Sequence, residues 1–94
     1  LVNDVWLRNA RQANTMAQRL SRGLDALPGI ELAYPTQSNE VFVRMPRSLI
    51  KALAHQGIKV NDEELDGKAM RFVTAWDTSE AEVDDLLIAL AAQL

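Results

Sequence analysis

One long amphipathic segment constrains this chain more than any other feature. Ala10, Ala13, Ala17, Leu20, Leu24 and Leu27 recur at alternating spacings of three and four residues. That spacing places them on one stripe of a helix. Arg8, Arg11, Arg19, Arg22 and Asp25 fall mostly off the stripe. The pattern predicts a helix from about Asp4 to Leu27 that must lay its stripe on a core. Pro28-Gly29 stops it, because proline cannot continue the hydrogen-bond ladder and glycine accepts a left-handed turn.

Beyond the glycine the chain reads as short strands. Ile30 to Tyr34 is a first strand, closed by Pro35, and Thr36 to Asn39 are turn-formers. Glu40 to Met45 alternates, with Val41, Val43 and Met45 on one face and Phe42 and Arg44 on the other. A short helix fits Arg47 to Gln56, capped by Gly57. Ile58 to Val60 is a brief third strand, and Asn61 to Lys68 is a polar loop. Ala69 to Trp76 is the last strand; both its faces are largely apolar, so it is expected at the centre of a sheet. Ser79 and Glu82 have capping-box spacing at the start of a final helix. Its buried face is expected to hold Val83, Leu86, Leu87, Leu90 and Leu94. The expected fold is an α/β domain of the α+β sandwich kind, ordered α-β-β-α-β-β-α. It has a small, mostly antiparallel sheet with helices packed on one side. The pattern does not fix the strand order.

Bulk properties narrow the function. With 94 residues the chain is one domain, and an apolar fraction of 48% supports a folded core. A net charge of −3 argues against a nucleic-acid partner, which needs a basic face. Cysteine is absent, which excludes disulfides and thiolate chemistry and suits a cytoplasmic setting. No apolar run approaches the roughly 18–20 residues of a membrane span. The sequence opens Leu1-Val2-Asn3 without a methionine, so a longer parent protein is expected.

Arg71 stands out among chemically capable residues. It lies near the start of a strand beside Met70, Phe72 and Val73. A guanidinium keeps its charge, so it must reach solvent or find an anion, and its planar fork matches a carboxylate. The plain alternative is an ion pair with an acid of the same domain. His55 is the single histidine and joins no catalytic set. Asp62, Glu63, Glu64 and Asp66 lack the spacing of a calcium loop, so no metal is expected. Lys51, Lys59 and Lys68 sit in polar contexts that would not lower an amine's pKa. Trp6 and Trp76 read as core or interface residues.

Four segments together resemble the C-terminal part of low-specificity L-threonine aldolases, members of the β-eliminating lyase group. They are Val5-Trp6-Leu7-Arg8-Asn9-Ala10-Arg11-Gln12-Ala13-Asn14, Leu27-Pro28-Gly29-Ile30-Glu31-Leu32, Ser38-Asn39-Glu40-Val41-Phe42-Val43 and Met70-Arg71-Phe72-Val73-Thr74-Ala75-Trp76-Asp77-Thr78. The last is similar to the family's Arg-x-Val-Thr strand. The resemblance implies the small domain of a fold-type-I pyridoxal-phosphate enzyme acting on an amino acid. The cofactor and its Schiff-base lysine would lie in a large domain upstream, and homo-oligomers are implied. It also implies that Arg71 helps to hold the substrate carboxylate. No catalytic or cofactor-binding residue is expected within the chain, so the fragment alone is expected to be inactive. Where family members often carry an aromatic stretch, this chain has Asn61-Asp62-Glu63-Glu64-Leu65-Asp66-Gly67, which leaves the substrate's β-substituent open. Two other readings stand beside this one: a stand-alone amino-acid-binding or regulatory α+β module, and the small domain of another pyridoxal-phosphate lyase or a transaminase.

Overall fold

The computed structural model describes residues 2–45, 59–61 and 70–94. Helix α1 spans Val2–Asp25, followed by strands β1 (Glu31–Leu32), β2 (Glu40–Arg44), β3 (Lys59–Asn61) and β4 (Met70–Val73) and by helix α2 (Glu80–Ala91). The helix expected over Arg47 to Gln56 lies outside the described residues.

The strands form one sheet in the order β1-β2-β4-β3, and every pairing is antiparallel. β4 is therefore interior, as its two apolar faces led us to expect. Its register sets Val41 against Phe72 and Phe42 against Arg71. Alternation then sorts the side chains. Val41, Val43, Met70 and Phe72 are buried beneath the helices. Phe42, Arg71 and Val73 lie on the opposite face and are half-buried.

Both helices pack on the first of these faces. Met16, Ala17, Leu20 and Leu24 of α1 join Val83, Leu86 and Leu90 of α2 and the sheet residues in one core. The buried stripe of α1 is wider than the expected one, because the helix meets α2 as well as the sheet. Met16 and Ser21 are buried there as well. The helices approach closely at Gly23, where an added Cβ would collide with the Leu87 side chain. The chain leaves α1 through Gly29, whose φ of 80° suits glycine.

α2 begins with the expected capping box. Ser79 Oγ accepts from Glu82 N at 3.1 Å, and Glu82 Oε1 accepts from Ser79 N at 3.1 Å. Two expectations need correction here. Leu94 is 47% exposed, because α2 stops at Ala91 and leaves Leu94 beyond the core. The last strand ends at Val73 rather than Trp76. Thr78 Oγ1 accepts from Ala75 N at 2.8 Å and Thr78 N donates to Ala75 O at 3.1 Å, so the chain turns before it reaches Ser79.

Candidate functional site

The sheet face turned away from the helices carries Arg71. Phe42 stands opposite it and Glu40, opposite Val73, stands diagonally. Long side chains reach one another across such a diagonal. Arg71 Nη1 lies 3.9 Å from Glu40 Oε2, with the two side chains 36% and 38% exposed. At that separation the contact is Coulombic and too long for a hydrogen bond. A pair this exposed contributes roughly 0–1 kcal/mol.

The other end of the guanidinium is less satisfied. Arg71 Nε is buried and has no hydrogen-bond partner among the described residues. A buried donor left unmet costs about 1–3 kcal/mol and is rare in folded proteins. The plain alternative for this residue, an ion pair within the domain, thus exists, but it leaves the fork largely unspent.

Tyr34 and Phe42 form an edge-to-face pair near this site, with ring centroids 5.5 Å apart at 81°. At the far end of β2, Arg44 stands opposite Glu31. The face thus presents guanidinium groups, carboxylates and an aromatic wall.

A buried buckle fixes the near end. Thr74 is fully buried, and its Oγ1 donates to Ala13 O of α1 at 2.6 Å, with Asn39 O 3.2 Å away. Thr74 N donates to Asn39 O at 3.0 Å, and Asn39 Nδ2 donates to Thr74 O at 2.9 Å. Helix, β2 and β4 are tied at one point, directly before Glu40. Sequence reasoning gave Thr74 and Asn39 no such role. The available signal was Thr74's place as a polar residue on the same face as Phe72.

A second arginine gives a reference state. Arg19 Nε and Nη2 donate to Asp84 Oδ1 and Oδ2, both at 2.9 Å, with Glu80 3.9 Å away. This bidentate bond raises the Arg19 pKa and, with Arg19 as donor, holds the Asp84 carboxyl below its ordinary value.

The two tryptophans are not core residues. Trp6 is 68% exposed and Trp76 62% exposed. They line an open groove of about 600 Å³ that also includes Ala10, Asn39, Val73 and Thr74. The groove lies between the start of α1 and the end of β4, and Arg71, Glu40 and Phe42 are not among its lining residues. A second groove of similar size adds Arg8 and Arg11 beside Val5 and Trp76.

His55, Lys51, Lys68 and the acidic residues Asp62, Glu63, Glu64 and Asp66 lie outside the described residues. Lys59 is described only through its backbone pairing with Val73. Among the described residues, no three acidic or histidine side chains gather as a metal site requires. No described helix is long and apolar enough to cross a membrane.

No protein-family model matches the chain. It is 40% identical over 86 residues to the low-specificity L-threonine aldolase of Pseudomonas sp. (strain NCIMB 10558), and 35% identical over 86 residues to that of Pseudomonas aeruginosa. Each match takes in 92% of this chain and 25% of the relative, so the chain spans about a quarter of these proteins. Its fold is similar to that of a C-DES mutant with glycine covalently linked to its PLP cofactor. There the TM-score is 0.70 at 24% identity, over 86% of this chain and 23% of that one. It is also similar to the aminotransferase TlmJ from Streptoalloteichus hindustanus, with a TM-score of 0.62 at 18% identity over 89% and 31% of the two chains. Sequence and fold together show the likeness of this chain to the C-terminal domain of low-specificity L-threonine aldolases.

Proposed function

We infer that this chain is the small-domain part of a pyridoxal-phosphate-dependent aldolase, one that cleaves the Cα–Cβ bond of β-hydroxy-α-amino acids such as L-threonine. In this reading Arg71 anchors the substrate carboxylate. The single observation that carries the anchor role is the state of the Arg71 fork. Among the described residues its Nε is buried and unpartnered and its Nη1 is only loosely paired, on the sheet face that α1 and α2 do not cover. The curated relatives supply the reaction class through their names.

Pyridoxal phosphate supplies an electron sink for charge developing at Cα. The described residues do not themselves fit a holder of that group. Among the described side chains, the sheet face away from α1 and α2 offers guanidinium forks and no lysine amine, and we assign the cofactor to the three-quarters of the relatives' length that the match does not take in. This chain contributes orientation. Gripping a carboxylate at two points fixes the rotation of the amino acid about Cα, and hence which bond is aligned to break. The product pair for L-threonine is glycine and acetaldehyde.

The exposed Trp6 and Trp76 groove fits the same reading. Contiguous apolar surface rimmed by polar groups marks an interaction site. The occupant we assign is the rest of the parent polypeptide, since three-quarters of the relatives' length lies outside the matched region. The site would then lie at a domain boundary, where small-molecule sites are common.

The test is Arg71→Lys in the full-length, cofactor-loaded protein. A lysine keeps the charge and loses the fork. We expect KM for L-threonine to rise about ten- to a hundred-fold, the equivalent of roughly 1.5–3 kcal/mol for a charged hydrogen bond, and turnover to fall. Unchanged kinetics would remove Arg71 from substrate binding. Products other than glycine and acetaldehyde would move the protein to another lyase or to a transaminase.

A further inference from the structure

We propose that Glu40 is a built-in competitor for the Arg71 guanidinium, and that substrate binds by displacing it. The proposal rests on the anchor role of Arg71. Glu40 carries the same chemical group as the ligand's acid end, and it stands diagonally across the strand pair from the arginine. Its backbone is held in place. Glu40 N donates to Ser38 Oγ at 3.3 Å, and the preceding Asn39 is fastened to Thr74 by its carbonyl and its side-chain amide. The carboxylate is therefore a positioned group, yet its contact with Arg71 Nη1 at 3.9 Å is loose.

The parked arginine leaves Nε buried and without a partner among the described residues, which makes this arrangement easy to exchange for a better one. An amino-acid carboxylate that takes both ends of the fork satisfies what Glu40 does not. While Glu40 holds the guanidinium, only a fraction of molecules are ready to bind, and the apparent affinity falls by that fraction. Glu40 is thus a positioning residue that tunes KM.

The experiment uses the full-length, cofactor-loaded protein and two readouts: KM for L-threonine, and the dissociation constant of glycine by calorimetry. In Glu40→Gln both fall about two- to five-fold, the range open to a half-exposed ion pair, and KM changes by more than kcat. Glu31→Gln removes an equal charge from an exposed position opposite Arg44 and serves as the control, with neither constant shifted. A purely structural role for Glu40 would lower the melting temperature without tightening glycine binding. If Glu40→Gln leaves both constants unchanged or raises them while Arg71→Lys weakens glycine binding, the competitor role is overturned and the anchor stands. If Arg71→Lys leaves glycine binding intact, the anchor fails and the competitor role with it. Should Glu40→Gln fold poorly, Glu40→Asp decides by the same criterion, because it keeps the charge but loses one methylene of reach.

Discussion

The two faces of the central strand β4 are built to different standards. Met70, Phe72 and Thr74 face the helices and are buried, and the one hydroxyl among them, on Thr74, reaches Ala13 O at 2.6 Å. Arg71 and Val73 face the other way, half-buried, and Arg71 keeps a buried Nε without a partner among the described residues. Arg19 shows that the domain can satisfy an arginine when the arginine is structural, since its fork closes on Asp84 with two bonds of 2.9 Å. Side-chain exposure does not explain the difference, being 39% for Arg19 and 36% for Arg71. One face is optimised for holding together. The other holds a guanidinium whose sole polar contact among the described residues is the 3.9 Å approach to Glu40.

That contrast can be attacked at several points. The largest effect belongs to Phe72→Ala, which empties the middle of the covered face. It should lower unfolding free energy by about 3–5 kcal/mol in denaturant titration, and an unaltered midpoint would refute the core placement. Arg71→Lys comes next. It should weaken substrate binding by about ten- to a hundred-fold while leaving the denaturant midpoint nearly unmoved, because the residue's native contacts contribute little. Thr74→Val keeps the shape but removes the buried hydroxyl. We expect a loss of about 1–3 kcal/mol, with KM for L-threonine unchanged or slightly lower, because the buckle positions the competing Glu40.

The smallest effect separates the two arginines by pH. The folded-state pKa of Asp84 lies below its ordinary value, so the stabilisation from Arg19 is present above the unfolded-state pKa. It is lost as pH falls through the folded-state pKa. Asp84→Asn should therefore melt lower than the parent at neutral pH, and the gap should close in acid below the ordinary carboxylate range. A gap that widened in acid would contradict the assignment.

Local patterns carried much of the fold into the sequence. The stripe of α1, the alternation over Val41, Phe42 and Val43, the apolar β4 and the Ser79–Glu82 box are each set by neighbours a few residues apart. They were legible for that reason. The order β1-β2-β4-β3 was not, because short antiparallel strands of similar composition pair in several ways. Met16 was missed because a stripe drawn for one partner surface is too narrow for a helix that contacts two. Leu94 was overcounted because periodicity runs on past the end of the core.

For the site, Arg71 could be singled out as a charge set among apolar strand residues. Its relation to Glu40 could not. Neither could the Asn39–Thr74 buckle, which joins residues 35 apart. The Arg19–Asp84 fork joins residues 65 apart and has no local signature. All three depend on how distant segments pair and pack, and strand register, a tertiary property, decides the two that lie on the sheet.

A crystal structure of the full-length protein with its cofactor and glycine bound would put the anchor role to the sharpest trial. The Arg71 guanidinium should then be swung off Glu40 and grip the glycine carboxylate through two nitrogens, at about 2.7–2.9 Å. A glycine carboxylate held by other residues, with Arg71 still beside Glu40, would contradict it.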